Sequence, residues 1–374
     1  MKKFKIVQVN KLYSPWIGGI ESVAKMVAEE LNDKTEMDVL VCQPKGKGVK
    51  EKVNGVSVTR AGSLGILFSM PISFSYPFLV RKYVKQADIV ILHEPFPLGD
   101  LSLLLSGFKG KLIVWWHSDI IKQKRLLKLI NPIIHGVLKR ADVIFTTTEG
   151  SLNGSSYLPQ YRDKCRFVPY GIDKDLYLNA ELKPILTESL SDKNRKKVLF
   201  VGRLIYYKGA DVLVKAFKKV RNAELFIVGT GADEEKLKNI AAEMGDRVHF
   251  MGNLSDSDLK SAFADCDIFV LPSVAKSEAF GIVQLEAMIY GKPVINTSLD
   301  TSVPYVSLDG ETGITVRAGN EEELSDAINK LADDDELRLL YGRNAVSRVL
   351  SVFEKEAMIN NVCNQFNNLM EENL

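Results

Sequence analysis

Short apolar segments of strand length alternate with amphipathic segments along most of this chain, and they do so in two separate series. The first series predicts strands at 4–9, 38–42, 88–92, 111–115, 143–147 and 165–168. The second series predicts strands at 198–201, 224–228, 247–251, 267–271, 293–296 and 313–316. Such an alternation is typical of an α/β fold with mainly parallel sheets covered by helices on both faces. We therefore predict two doubly wound domains that face each other across a cleft at the carboxyl ends of their strands.

The length of 374 residues suits two domains of ordinary size. A polar stretch near 175–195 separates the two series of strands and is interpreted as a linker. The sequence thus predicts an N-terminal domain at 1–175 and a C-terminal domain at 176–352. We expect the last helical stretch, 353–374, to pack back on the first domain.

Charge is distributed unequally between the two halves of the chain. Residues 1–180 hold 26 Lys and Arg against 16 Asp and Glu, a charge of +10, and the remainder holds 23 against 31, a charge of −8. The segment 120–140 concentrates this basic charge among apolar residues, with Lys122, Lys124, Arg125, Lys128, Lys139 and Arg140. This pattern favours an anionic membrane surface, although a solvated helix face over a core stripe is an open alternative. No recognised nucleic-acid-binding module accompanies the charge, so we expect no nucleic acid partner.

Other features bear on compartment and class. The four cysteines lack metal-binding spacing and indicate reduced, buried thiols in a cytoplasmic protein. The N-terminal apolar run is too short for a secretory signal. The uncharged stretch 63–80 contains four serines and two prolines, which argue against a spanning helix. We interpret it as a buried or interfacial loop and helix.

Two acids eight positions apart, Glu278 and Glu286, are the most informative pair in the second half. Between them lies Phe280-Gly281, a break where main-chain N–H groups can face a ligand. Eight residues make a little over two helical turns, so both carboxylates can face one cleft. Carboxylate acceptors, loop amides and a helix N-terminus suit a ligand with hydroxyls at both ends and phosphate in the middle, such as a sugar nucleotide. The alternative is a pair of ordinary surface glutamates on an amphipathic helix.

Cations and glycines occupy several turns that follow predicted strands. Arg203 and Lys208 flank the first turn of the second half, where they could neutralise a leaving diphosphate. Gly18 and Gly19 occupy the first strand-to-helix turn of the chain and let the backbone approach an anion. At both positions, the open alternative is a plain turn that binds no ligand. The glycine pair that begins at Gly229 lacks the third glycine of a dinucleotide fingerprint, so we discount hydride chemistry.

His117 follows the strand predicted at 111–115, at a carboxyl end where catalytic groups of wound sheets collect. His93 ends a comparable strand and is interpreted as structural or close to an acceptor. Asp265 and Asp267 could be mistaken for a D-x-D metal site, but they precede a strand instead of following one. We therefore predict no metal site.

A set of short motifs, in this order and at these distances, covers nearly the whole chain: Gly18-Gly19, Trp116-His117-Ser118-Asp119, Pro169-Tyr170-Gly171-Ile172-Asp173, Val201-Gly202-Arg203 with Lys208-Gly209, Leu271-Pro272-Ser273, and Glu278 with Glu286. Together they resemble the retaining glycosyltransferases of family 4, which have the GT-B architecture of two Rossmann-like domains. The motif Trp115-Trp116-His117-Ser118-Asp119-Ile120 looks most like that of bacterial mannosyl- and rhamnosyltransferases. Those enzymes assemble surface polysaccharides such as lipopolysaccharide O-antigen.

The resemblance implies a role for each matching residue. Arg203 and Lys208 would bind the donor diphosphate, with further N–H donors from the turn at Gly18 and Gly19. Glu278 would hold donor-sugar hydroxyls and Glu286 the ribose, while His117 would contact the donor sugar. The predicted site set is completed by positions that line the donor through backbone: Gly229, Leu254, Ala279, Phe280, Gly281 and Ile282. Ala279 stands where the family often has glycine, and a positive φ there would cost about 1 kcal/mol or more.

The function implied is transfer of a hexose from a nucleotide diphosphate sugar, GDP- or UDP-linked, to a glycan hydroxyl with retention and without metal or other cofactor. The acceptor domain would be the basic N-terminal one. We expect a polyprenyl-diphosphate-linked acceptor and a peripheral location at the cytoplasmic face of the inner membrane. Three alternatives stay open from the sequence: a UDP-sugar-dependent glycosyltransferase that moves another hexose, a nucleotide-sugar epimerase or hydrolase, and a non-catalytic protein that binds the donor.

Overall fold

The structure, a computed structural model, describes residues 3–16, 18–67, 70–120 and 124–371, without the side chains of 124–127. The chain divides into two compact units. The first contains Met1–Tyr170 together with Met358–Leu374, and the second is Gly171–Ala357.

The first unit is built around one twisted sheet. Its elements in chain order are β1 (Lys5–Val9), α1 (Gly19–Leu31), β2 (Glu36–Cys42), β3 (Val49–Val53), β4 (Val56–Ala61), β5 (Ile66–Leu67), β6 (Met70–Pro71), α2 (Tyr76–Val84), β7 (Ile89–Glu94), α3 (Pro97–Ser106), β8 (Lys111–Trp116), α4 (Lys124–Arg140), β9 (Val143–Thr146), α5 (Glu149–Gly154), a 3₁₀ helix at Leu158–Lys164 and β10 (Cys165–Phe167).

The strand order of this sheet is β10-β9-β8-β7-β1-β2-β4-β3, and every neighbouring pair except β3 with β4 is parallel. β1 lies between β7 and β2, so the order of strands reverses at β1. This reversal is the topological switch point, outside whose carboxyl edge ligands of wound sheets bind. The core on one face is an apolar cluster that includes Val9, Leu92, Val114 and Tyr76.

The hairpin β3–β4 was not predicted from the sequence. Its outer strand, Val49–Val53, reads Val-Lys-Glu-Lys-Val and is largely exposed, so it lacks the apolar pattern of a buried parallel strand. The turn that joins the strands is Asn54-Gly55, and both residues have a positive φ, 49° and 84°. Asn-Gly at such a turn is the strongest short-range signal for a hairpin. The signal was therefore present, although the strand itself was not recognisable by hydrophobicity.

The second unit repeats the wound-sheet plan. Its elements are α6 (Asp175–Leu178), α7 (Ile185–Ser189), β11 (Lys196–Val201), a 3₁₀ turn at Tyr206–Lys208, α8 (Ala210–Ala216), a 3₁₀ turn at Phe217–Lys219, β12 (Ala223–Val228), α9 (Glu234–Ala241), a 3₁₀ segment at Ala242–Arg247, β13 (Val248–Gly252), α10 (Asp256–Asp265), β14 (Ile268–Val270), α11 (Val283–Met288), β15 (Val294–Thr297), α12 (Val303–Val306), β16 (Gly313–Val316), α13 (Glu321–Asp333) and α14 (Asp335–Val352).

All strands of the second sheet are parallel, in the order β13-β12-β11-β14-β15-β16. The switch point lies between β11 and β14. A separate apolar cluster, which includes Phe200, Val214, Ile227 and Ile328, forms the core of this unit. Each strand predicted from the sequence corresponds to a strand of the structure, and the doubly wound α/β class is confirmed for both units.

The last helix, α15 (Lys355–Glu371), crosses the division between the units, since the residues from Met358 onward belong to the first. In that part Val362, Phe366 and Leu369 are buried, and Asn361 donates a side-chain hydrogen bond to the Phe167 carbonyl at 3.0 Å. Within the described ranges, no helix is both long and apolar enough to cross a membrane.

Candidate functional site

The switch point of the first sheet collects several of the predicted residues. Gly18 and Gly19 follow β1, His93 lies near the end of β7, and His117 follows β8 directly. Parallel pairing in register brings His93 beside Trp115, one strand over. The carboxyl edge of this sheet therefore carries two histidines and the first glycine turn.

A chain of side-chain hydrogen bonds runs through this edge. Gln8 Oε1 lies 2.7 Å from His93 Nε2, and His93 Nδ1 lies 2.9 Å from His117 Nε2. His117 Nδ1 in turn is hydrogen-bonded to the Tyr170 hydroxyl. The rings of His93, Trp115 and His117 are stacked nearly parallel, with 5.2 Å between the two histidine centroids. The four linked side chains are buried.

The direction of each hydrogen bond in this chain follows from its first member. The amide nitrogen of Gln8 donates to the Ala24 carbonyl at 3.3 Å, which leaves its oxygen to accept from His93 Nε2–H. With neutral rings, His93 Nδ1 then accepts from His117 Nε2–H, and His117 Nδ1 accepts from the Tyr170 hydroxyl. Burial lowers the pKa of His93 to about 3, and burial with the adjacent His93 lowers the pKa of His117 well below its usual range. His117 is therefore held as one neutral tautomer at neutral pH.

Gly18 and Gly19 stand at the start of α1. Gly18 precedes the helix in an extended conformation and has no side chain to cap it. The Glu21 carboxylate lies close, since a Cβ built on Gly18 would be 2.3 Å from Glu21 Oε2. The helix N-terminus that we predicted as an anion-binding turn thus has an acidic side chain beside it.

The switch point of the second sheet collects the predicted donor residues of that unit. Arg203 and Lys208 follow β11, and Glu278 lies in the connection that follows β14. Gly229 follows β12, and Leu254 follows β13. All five lie beyond carboxyl ends of strands, where wound sheets bind ligands.

Lys208 and Glu278 form an ion pair at this edge. Lys208 Nζ lies 2.6 Å from Glu278 Oε2, and the same oxygen accepts a hydrogen bond from Ser273 Oγ at 3.0 Å. Both charged side chains are largely shielded from solvent. Arg203 is exposed, and its guanidinium donates to the Tyr207 hydroxyl at 3.3 Å. The ion pair holds Lys208 beside a carboxylate, whereas the exposed guanidinium of Arg203 is accessible to a ligand.

Close backbone approach explains two glycines of this edge. Gly209 has a φ of +67°, and a Cβ there would lie 2.0 Å from the Pro272 carbonyl oxygen. Gly229 has a φ of +123°, and a Cβ there would lie 2.1 Å from the Gly202 carbonyl oxygen. These contacts hold the turns after β11, β12 and β14 together, so only glycine fits at either position.

The loop between Glu278 and α11 contains Ala279, Phe280, Gly281 and Ile282. Positive φ falls on Gly281, at +73°, and among the described residues Asn54 alone combines a side chain with a positive φ. Ala279 therefore carries no left-handed strain, and its carbonyl accepts from Ser302 N at 2.9 Å. Phe280 is buried and packs edge-on against Phe353. Ile282 immediately precedes the short helix α11.

Glu286 lies on α11 and is held by a residue that the sequence did not indicate. Tyr177 Oη donates a hydrogen bond to Glu286 Oε1 at 2.8 Å, and the Tyr290 hydroxyl donates to the Tyr177 carbonyl at 2.8 Å. Lys260 Nζ lies 5.7 Å from the centre of the Tyr177 ring. Burial raises the pKa of Glu286, and the Tyr177 hydrogen bond acts in the opposite direction.

The carboxylates of the D-x-D sequence have structural partners. Asp265 accepts from the main-chain N–H groups of Leu186 and Thr187, and Lys197 Nζ lies 2.9 Å from it. Asp267 accepts from Lys197 N at 2.7 Å. In the part of the chain that the structure describes, no group of three or more His, Cys, Asp or Glu is arranged to hold a metal ion.

The basic segment predicted at 120–140 is described only in part. Lys122 lies outside the described residues, as do the side chains of Lys124 and Arg125. Of the rest, Lys128 and Lys139 are exposed on α4, while Arg140 pairs with Asp142 at 3.1 Å.

The sequence interpretation missed Gln8, Tyr170, Tyr177 and Ser273. Gln8 left a signal, because it is a polar residue inside the apolar strand β1. Tyr170 and Ser273 lie within motifs that were singled out, but no role was assigned to them. Tyr177 lies in the polar linker and left no signal of its own.

Family comparisons agree with this geometry. Residues 17–176 match the family described as "Glycosyltransferase Family 4", and residues 184–348 match "Glycosyl transferases group 1". The chain is 33% identical over 353 residues to D-rhamnosyltransferase WbpZ of Pseudomonas aeruginosa, covering 93% of this chain and 92% of that protein. The chain belongs to glycosyltransferase family 4. The resemblance inferred from the motifs is thereby confirmed.

A further relative and a solved structure support the same family and fold for this glycosyltransferase. It is 29% identical to O-antigen chain mannosyltransferase C of Escherichia coli, over 98% of this chain and 99% of that protein. Among solved structures, Anabaena HepE in complex with UDP is similar with a TM-score of 0.79 and 18% identity, covering 97% of this chain and all of that one. At that identity the likeness supports the fold, and the GT-B architecture is confirmed.

Proposed function

We propose that this glycosyltransferase moves a hexose, mannose or a rhamnose-like sugar, from a nucleoside diphosphate sugar to a hydroxyl of a lipid-linked glycan in surface-polysaccharide assembly, with retention at the anomeric carbon. The sugar and the pathway are suggested by the two relatives named as a rhamnosyltransferase and an O-antigen mannosyltransferase. The nucleotide form of the donor is suggested by HepE, which was solved in complex with UDP.

The observation that carries the proposal is the cluster at the switch point of the second sheet. Arg203 and Lys208 supply two cations there, and the Lys208–Glu278 pair places a carboxylate acceptor beside one of them. A diphosphate needs the cations, and the hydroxyls of the attached sugar need the acceptor. In this proposal Glu286, which accepts a hydrogen bond from Tyr177, also accepts from the ribose hydroxyls.

We infer a front-face displacement for the transfer step. The bond between the anomeric carbon and the diphosphate oxygen breaks, and the acceptor oxygen bonds to the same face of that carbon. The acceptor proton passes to the departing phosphate oxygen, so no protein base is required. A double displacement would need a carboxylate nucleophile, but Glu278 Oε2 is already engaged by Lys208 and Ser273.

Arg203 and Lys208 act on the charge that develops on the leaving diphosphate, where electrostatic stabilisation is most effective. In this role they replace a divalent ion. His117, kept neutral by burial and by the adjacent His93, is proposed to contact the donor sugar without exchanging a proton.

The test is a pair of substitutions in the cation cluster. Arg203→Ala and Lys208→Ala should each lower transfer by about 100-fold or more, since each removes a charge that counts most in the transition state. Arg343→Ala, which removes an exposed cation of α14 in the same unit, is the matched control and should leave the rate unchanged. A thermal-shift screen against UDP, GDP and ADP sugars identifies the donor first, and thermal unfolding verifies that each variant is folded.

Near-normal rates in both variants would overturn the proposal. So would donor turnover that needs no acceptor, which would indicate an epimerase or hydrolase, or a rate that requires added magnesium or manganese. Donor binding with no transfer to any glycan acceptor would indicate a binding protein.

A further inference from the structure

The outer face of α3 is entirely leucine. The exposed residues of this helix are Leu101, Leu104 and Leu105, and each of its polar residues is buried. Leu105 is 66% exposed, and the other two are 39% exposed. Positions i, i+3 and i+4 share one face of a helix, so the three side chains form one apolar strip. A soluble helix would ordinarily place charged residues on this face.

The two helices beside α3 surround this strip with positive charge. α3 packs against α2 on one side and α4 on the other. On α2 the exposed residues are Phe78, Arg81 and Lys82, with Lys85 just beyond its end. On α4, the exposed residues among the described side chains are Lys128, Leu129, Pro132 and Lys139.

Acidic charge is lacking on this three-helix face. The sequences of α2, α3 and α4 contain a single acidic residue, Asp100, and it is fully buried. Among the described side chains, this face thus combines exposed Leu, Phe and Pro with the cations of Lys and Arg. Phe78, Arg81, Lys82 and Lys85 also line a surface cavity of about 420 Å³, together with Gln86.

We propose that this face, defined as the leucine strip of α3 with the exposed residues of α2 and α4, inserts into the interface of an anionic lipid bilayer. This inference rests on one part of the proposed function, namely that the acceptor is lipid-linked. The leucines and Phe78 enter the boundary between headgroups and acyl chains. The cations on both sides contact lipid phosphates, and the cavity beside Phe78 receives one headgroup.

A second copy of the chain is a poorer occupant of this face. Two copies that met through their leucine strips would bring two basic surfaces together, which is unfavourable. A stable protein interface also needs about 800 Å² from each partner, with roughly 20 residues a side. The strip supplies three leucines, which is far less than such an interface needs. Insertion into a bilayer requires only that apolar side chains be bordered by cations.

The experiment is vesicle flotation of the full chain with phosphatidylcholine vesicles, with and without phosphatidylglycerol. The wild-type chain should float with the anionic vesicles and much less with the neutral ones. Leu101→Gln combined with Leu105→Gln should lower partitioning by about tenfold or more, because two apolar side chains no longer leave water. Arg81→Ala combined with Lys82→Ala should lower binding to anionic vesicles alone.

The matched control is Leu339→Gln combined with Leu340→Gln, which removes two exposed leucines from α14 in the other unit. This variant should float like the wild-type chain. Calorimetric binding of the nucleotide sugar identified by thermal shift should be equal in all variants, and it shows that they are folded. If the wild-type chain bound no nucleotide sugar, the proposed function would be wrong. The flotation result would still test the membrane inference separately.

Flotation of the α3 double variant equal to wild type would overturn the inference, as would equal wild-type binding to both kinds of vesicle. A concentration-dependent dimer that the same double variant abolishes would make a second copy the occupant and would also overturn it. Loss of flotation in the α3 variant with retention in the α14 control would support it.

Discussion

Among single residues, Tyr170 has the most specific consequence for the chemistry. Its hydroxyl donates to His117 Nδ1, and His117 Nε2–H donates to His93. Both ring nitrogens of His117 are therefore occupied, and its orientation is set by residues from β1, β7 and the end of the first unit. Tyr170 is accordingly a positioning residue for His117.

Tyr170→Phe should change the pH dependence of transfer as well as its rate. A hydrogen bond donated to the neutral ring favours the neutral form, so its loss should raise the pKa of His117 from its lowered value. We expect kcat to fall about tenfold and the acid limb of its pH–rate profile to lie at higher pH than in the wild-type enzyme. Between pH 8 and 5.5 the wild-type rate should show no titration of His117, because its pKa lies well below the usual range.

The measurement is a pH–rate profile, with histidine NMR signals to follow His117 directly. His135→Asn, which alters a histidine of α4 outside the chain of hydrogen bonds, is the control. Superimposable profiles for wild type and Tyr170→Phe would show that Tyr170 does not position His117.

Tyr177 has a comparable effect on Glu286. Tyr177→Phe removes the hydrogen bond to Glu286 Oε1 and leaves the ring contact with Tyr290 in place. We expect the KM for the nucleotide sugar to rise about tenfold with little change in kcat, because Glu286 is proposed to bind ribose away from the reacting atoms. Steady-state kinetics with Tyr341→Phe as the control decide the point, and a fall in kcat at constant KM would contradict it.

At the scale of elements, the sequence was sufficient where strands are buried and apolar. All strands of both sheets except β3 and β4 follow from their position in the alternating pattern, and the cations and acids beyond their carboxyl ends could be singled out. The strand Val49–Val53 could not be recognised by hydrophobicity, because it is an exposed outer strand of alternating charge, and the Asn54-Gly55 turn was the signal for its hairpin. The hydrogen-bond chain from Gln8 to Tyr170 could not be predicted either, because it depends on β1, β7 and β8 being neighbours.

Gly209 shows how tightly the turns of the second sheet are joined. Gly209→Ala should destabilise the second unit by several kcal/mol, about 1–2 kcal/mol from its positive φ and the rest from a Cβ placed against the Pro272 carbonyl. Gly107→Ala is the matched control, since Gly107 has nearly the same left-handed conformation, with φ 73° and ψ 23°, but no atom within 4 Å of the added Cβ. Urea unfolding followed by far-UV circular dichroism should separate the two variants. Equal losses would mean that backbone strain alone accounts for Gly209.

For the whole molecule, charge and core are divided between the two units. Residues 1–180 carry a charge of +10 and include the leucine strip, while the acidic remainder contains Arg203, Lys208, Glu278 and Glu286. The apolar clusters of the two units share no residue. We infer that lipid binding and nucleotide binding are properties of different units and can be lost separately.

This division can be measured because tryptophan marks one unit only. All three tryptophans, Trp16, Trp115 and Trp116, lie in the first unit, so their fluorescence reports its unfolding, whereas far-UV circular dichroism reports both. A nucleoside diphosphate at about 100 times its Kd should stabilise the unit that binds it by about 2.7 kcal/mol. Since Arg203, Lys208 and Glu286 all lie in the second unit, the dichroism transition should move to higher temperature by more than the fluorescence transition does. A larger shift in the tryptophan signal would place the diphosphate site in the first unit and overturn the assignment of these residues to it.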